Sequence, residues 1–94
     1  MIILQIEHQV PSYEGWKKAF ESDPINRKAS GVKEFRVYRS AEDPNYIVID
    51  LVFEKMENAQ ATQKALEGLW GKIQGTIITS HKTRILELTE FEKI

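Results

Sequence analysis

Polar and apolar residues alternate from the second position. Over Ile2–Gln9, Leu4, Ile6 and His8 fall on one side and Ile3, Gln5, Glu7 and Gln9 on the other, the period of a strand with one apolar face. Pro11 and Ser12 break the run, and Ser12 is placed to cap a helix with Glu14 in its first turn. Tyr13, Trp16 and Phe20 then form one helical stripe. Asp23-Pro24 ends that helix, because a residue before proline is pushed out of helical geometry, and opens a short turn with Ile25 and Ala29 inward and Gly31 as its stop. Alternation resumes over Val32–Arg39, with Phe35, Val37 and Arg39 opposed to Glu34, Arg36 and Tyr38. A turn at 41–45 leads into Tyr46–Phe53, the most apolar strand, and the two strands read as an antiparallel hairpin. From Glu57 the period turns helical through Ala59, Thr62, Leu66, Leu69 and Ile73. Gly68, Gly71 and Gly75 predict that the helix stops near Glu67 and that a broken turn follows. His81–Phe91 alternates again.

The order βαββαβ predicts an α+β fold of ferredoxin-like type over residues 1–94 as one domain. Right-handed crossovers put two helices on one face of a four-stranded antiparallel sheet. The other face then carries Ile3, Val48, Val52 and Ile85 among Gln5, Glu7, Arg36, Tyr38, Asp50 and Glu87. That is too apolar for a wholly wet surface, and its charges are of both signs. A second copy stacked sheet to sheet would bury the apolar group, with Arg36, Tyr38, Asp50 and Glu87 at the contact and Arg36–Asp50 in a buried polar network. A chain of 94 residues has a small core, which also favours a partner.

Composition narrows the functions. Without cysteine there are no disulfides, thiolate zinc sites or thiol nucleophiles. A net charge of −1 supplies no field for nucleic acid or an anionic membrane. An RNA-binding sheet would need basic and aromatic residues outside, whereas Glu7, Asp50 and Glu87 share that face with Tyr38. The start M-I-I-L-Q-I-E-H is too short and lacks the basic residues of a signal or a span, so a cytoplasmic protein is expected, without membrane or nucleic-acid partners. His8 and His81 lack a third ligand at metal-site spacing, and neither a metal nor a cofactor is expected.

The strand directions collect His8, Tyr13, Arg39, the Trp70 region, His81 and Arg84 at one end of the domain, and Arg27, Phe53 and Lys55 at the other. By parity His8 and Arg39 point to the helices, into a cleft suited to a small molecule. His8 is the candidate catalytic residue, a general base, or else a strand-end histidine bonded to backbone. Trp16 is an aromatic wall or core. Arg39 holds a carboxylate or phenolate, or pairs with Glu42 or Asp43. Trp70 is part of a glycine-flanked lid, or caps the core. Arg27 anchors its loop through Asp23, and His81 is expected to be exposed.

With this element order, the chain resembles the dimeric α+β barrel superfamily, which includes antibiotic-biosynthesis-type monooxygenases and muconolactone isomerase-like proteins. The local likeness lies in His8, Tyr13-x-x-Trp16, Asp23-Pro24-x-x-Arg27 and Gly31-Val32, and is nearest to small bacterial members without a defined chemistry. The resemblance implies a homodimer that binds or acts on a small aromatic or polyketide-like molecule without a bound cofactor, His8 moving a proton and Tyr13, Trp16, Arg39 and Trp70 holding the ligand. A non-catalytic dimer that binds a metabolite or a protein is the alternative. The family's haem-degrading members use an Asn, a Trp and a His; here Glu7 and His8 stand where the first-strand Asn would fall.

Overall fold

A computed structural model describes residues 1–73 and 80–94. Its elements are β1 (Ile2–Gln9), α1 (Tyr13–Glu21), β2 (Glu34–Arg39), β3 (Tyr46–Phe53), α2 (Met56–Ile73) and β4 (Ser80–Glu87). The sheet order is β2-β3-β1-β4, every neighbouring pair antiparallel. This is the ferredoxin-like arrangement that the periodicities predict.

Local chemistry sets the ends of α1. The Ser12 hydroxyl accepts from the Gly15 N–H at 3.4 Å, satisfying one of the first-turn donors that a helix leaves open. At the other end Ser22 donates from its backbone to the Lys18 carbonyl and from its hydroxyl to the Ala19 carbonyl, and Asp23 turns left-handed at φ 54°. The following segment closes with Gly31 at φ 94°, where a Cβ would sit 2.6 Å from Asn58 Nδ2 of α2. Glycine is required there for both conformation and space. Ile25 packs against the core as expected, whereas Ala29 is exposed.

Helix α2 departs from expectation. It runs unbroken through Gly68 and Gly71, past the predicted stop at Glu67. Each interior glycine costs about 1 kcal/mol relative to alanine. Burial of Leu66 and Trp70, with Leu69 packed against the same core, exceeds that at roughly 1.5–3 kcal/mol per large apolar side chain. Gly75 lies outside the described residues, as does the side chain of Ile73.

Register decides the faces. Leu4 lies between Leu51 and Ile85, Ile6 between Ile49 and Thr83, and His8 between Ile47 and His81. These residues, with Phe35, Val37 and Arg39 of β2, make the helix side. The core joins Leu4, Ile6, Ile47, Ile49, Leu51 and Phe53 to Ala59, Leu66 and Trp70. Ile85 and Glu87 are therefore on the helix side, Glu87 opposite Ile2, and the expectation that both lie on the open face is corrected. Both parities of β4 carry apolar residues, so only pairing with β1 could set its face. Leu86 opposite Ile3, Arg84 opposite Gln5 and Lys82 opposite Glu7 take the outer positions.

The outer face satisfies much of its polarity within one chain. Asp50 is buried and accepts from Gln5 Nε2 and from the Tyr38 hydroxyl, each at 3.0 Å. Arg36 lies opposite Asp50 in register, and within the chain its ion pair is to Glu34 at 3.5 Å. Glu7 accepts from Arg84 at 2.6 Å and from the Tyr46 hydroxyl at 3.0 Å. The chain after β4 reaches back over this face: Leu88 donates to the Met1 carbonyl, and the Phe91 ring lies 5.8 Å from the Arg36 guanidinium.

Candidate functional site

Helix α2 packs closely on the sheet, but α1 stands off it, with no Cα within 8 Å of a strand Cα. The gap is bridged by large side chains and holds a cavity of about 70 Å³. Its floor is Ile6, His8, Ile49 and Leu51; Trp16 and Phe20 come from α1; Leu66, Leu69 and Trp70 from α2. Pro24, Ile25 and Arg27 close it. The pattern that makes β1 a strand places an imidazole where a core residue would otherwise stand.

His8 is 3% exposed, and its ring meets the Trp70 ring edge to face at 5.0 Å. His81, directly across the strand pair, lies against the other part of that indole at 4.9 Å. The Nδ1 atoms of both histidines are buried and, among the described residues, have no hydrogen-bond partner. Burial lowers the His8 pKa to about 4; a hydrogen bond to the Ser80 backbone opposes this, and nearby His81 adds to it. A backbone bond that raises a histidine pKa is one the ring donates to a carbonyl. Nε2 thus carries the proton, and Nδ1 presents a lone pair. Leaving such an acceptor buried and unpaired costs about 1–3 kcal/mol, which a ligand O–H or N–H would recover. At neutral pH the ring is uncharged, able to accept a proton but a weak base.

Arg27 is the other polar group at the cavity. Its guanidinium stacks 4.0 Å from the Phe20 ring centre and 5.0 Å from that of Phe35. It donates to the Phe20 carbonyl at 2.9 Å and pairs with Asp23 at 3.4 Å. The anchor expected between Arg27 and Asp23 is present, reinforced by the Arg27 N–H on Asp23 Oδ1 at 2.9 Å. Arg27 packs on Phe35, in register with Leu51 and Leu4 and so toward the opposite end of the sheet from His8 as expected, and the cavity reaches from one to the other. The left-handed residues Asp23 and Asn26 turn the chain back beneath α1, a path that strand directions alone do not reveal.

The structure divides the sequence candidates. His8, Trp16 and Trp70 share the cavity. Trp70 belongs to α2 and is 4% exposed, so it is a packed wall and not part of a lid. Tyr13 and Arg39 stand outside. Tyr13 lines a separate groove of about 400 Å³ with Trp16, Lys17, Phe20, Glu21, Arg27, Phe35 and Val37. The Arg39 guanidinium lies 4.4 Å over the Tyr13 ring, and among the described residues no ion pair joins it to Glu42 or Asp43. His81, expected to be exposed, is half-buried against Trp70. The sequence reading placed His81 at the same end as His8 but not against Trp70, and it missed Phe20 and Arg27 as lining residues. Among the described residues no cluster of three or more His, Cys, Asp or Glu could hold a metal, and no helix is long and apolar enough to cross a membrane.

No protein-family model matches the sequence, and no curated protein matches it. Solved structures do. The cofactor-independent oxygenase SnoaB from Streptomyces nogalater superposes with a TM-score of 0.72 at 10% identity, over 96% of this chain and 94% of that one. An antibiotic biosynthesis monooxygenase gives 0.65 at 8% identity, over 96% and 100%. A dimeric ferredoxin-like protein from an uncultured marine organism gives 0.64 at 10% identity, over 99% and 92%. The chain shares the ferredoxin-like fold of antibiotic-biosynthesis-monooxygenase-like structures. At these identities the likeness extends to the fold and no further.

Proposed function

We propose that residues 1–94 form one domain of a homodimer of the antibiotic-biosynthesis-monooxygenase-like kind, which binds or acts on a small aromatic or polyketide-like molecule in the helix–sheet cavity. The observation that carries this reading is His8, which lines a largely apolar cavity and whose buried Nδ1 has no hydrogen-bond partner among the described residues. His8 accepts a hydrogen bond or a proton from the ligand, and Trp16 and Trp70 supply flat apolar walls. Tyr13 and Arg39 serve at the outer edge of α1. The dimer forms through the open sheet face, where Ile3, Val48 and Leu86 remain for a second copy to cover.

A thermal-shift screen of phenols, quinones and aromatic acids on wild type and His8→Ala tests the site. Hits that stabilise wild type and lose most of their shift in His8→Ala are expected; equal shifts in both proteins would remove His8 from the site. Light scattering should give about twice the 10.9 kDa chain mass. Binding without turnover is the second reading, favoured because no acid stands beside His8 at the cavity: its described lining is apolar apart from His8 and the ion-paired Arg27.

A further inference from the structure

The inner cavity and the outer groove are separated by very little. They share three lining residues, Trp16, Phe20 and Arg27. The cavity, at about 70 Å³, has room for only a few water-sized groups, whereas the groove measures about 400 Å³. Small-molecule sites usually run from roughly 300 to 1,000 Å³, so the cavity as it stands is too small for a multi-ring ligand.

The Arg27 guanidinium lies where the two meet, packed against the edge-to-face pair formed by Phe20 of α1 and Phe35 of edge strand β2. Its holdfasts can be exchanged. Phe35 is exposed, the Asp23 carboxylate is partly open to solvent, and a planar ring can replace the guanidinium on either aromatic face. The segment leading into Arg27 holds two left-handed non-glycine residues, Asp23 at φ 54° and Asn26 at φ 50°. Such positions persist only where surrounding contacts hold them. Here those contacts include Asp23 Oδ1 capping the Arg27 N–H and Asn26 Oδ1 accepting from the Ala29 N–H. Above them α1 has no close backbone contact with the sheet to resist a shift.

We propose that Arg27 is a movable partition, and that cavity and groove are the inner and outer parts of one site that takes a planar, largely apolar ligand too large for the cavity alone. The ligand enters when the guanidinium leaves its place over Phe20 and Phe35. Its inner end reaches His8, and its outer rings take over the stacking positions. Arg27 then sets the size of molecule admitted. This rests on the reading of the cavity as a ligand site.

Trp16 and Trp70 are the protein's two tryptophans, and both line the cavity, so indole fluorescence reports on access without any ligand. In Arg27→Ala, acrylamide quenching is expected to rise about threefold as the wall opens to solvent. Hydroxypyrene should bind about tenfold more tightly to that variant, a change of 1.4 kcal/mol, while phenol, which fits the inner end, binds as before. Asp23→Asn keeps the backbone acceptor and suits a left-handed position while removing the charge; it should shift both readouts in the same direction by less. Circular dichroism checks that each variant is folded. If Arg27→Ala does not fold, Asp23→Asn decides the matter. Unchanged quenching in the folded variants, or equal gains for phenol and hydroxypyrene, would overturn the partition. Because quenching needs no ligand and leaves His8 intact, loss of the His8 assignment would not mimic this failure.

Discussion

The two faces of the sheet treat their polar groups in opposite ways. On the open face, Asp50 is buried yet has Gln5 and Tyr38 as donors, and Glu7 has Arg84 and Tyr46. On the helix side, His8 and His81 bury Nδ1 atoms that have no hydrogen-bond partner among the described residues. A satisfied network makes one arrangement of strands more definite and leaves little for a ligand to gain. An unsatisfied group in an apolar hollow lowers stability and leaves an interaction for something else to complete. The contrast sets a satisfied outer network against unpaired groups on the inner side.

The largest effect should come from emptying the inner wall. Trp70→Ala removes a buried indole that packs on both histidines, and large aromatic truncations in cores cost about 3–5 kcal/mol. Urea unfolding measures it; a loss below that of an exposed substitution would mean the indole is not part of the core.

Acid should separate the faces more sharply. His8 has a folded pKa of about 4 against 6.5 when exposed. The unfolded chain therefore takes up its proton first as pH falls, and stability is lost from about pH 6.5 downward until the folded ring also titrates. Between pH 7 and pH 5 that linkage amounts to about 2 kcal/mol. His8→Gln should lack this part of the acid sensitivity. Parallel pH profiles of wild type and variant would show that His8 is not held neutral.

The smallest effects belong to the outer face. Tyr38→Phe leaves Asp50 with Gln5 alone and should cost about 1–2 kcal/mol, as for a hydrogen bond to a charged group. Arg36→Gln should cost less than about 0.5 kcal/mol, since its pair with Glu34 is half-exposed and such pairs contribute little. Comparable losses from both would return Arg36 to the Asp50 network, and a loss confined to the dimer would put it across the interface.

The alternation of β1, β2 and β3, the Ser12 cap and the Tyr13-Trp16-Phe20 stripe were all legible in the sequence, because each depends on residues within a few positions of one another. The ferredoxin-like order follows from them, and so does His8 on the inner face. Three features required the folded chain. Gly68 and Gly71 remain helical because burial of Leu66 and Trp70 outweighs a local preference. Ile85 and Glu87 face inward because β4 takes its register from β1, far away in sequence, while its own pattern permits either face. Arg27 shares His8's cavity, and Tyr13 and Arg39 stay outside it, an arrangement set by how α1 and the segment after it pack on the sheet. Periodicity records which side of its own element a residue occupies; which residues then meet depends on registers and turns set by contacts distant in the chain.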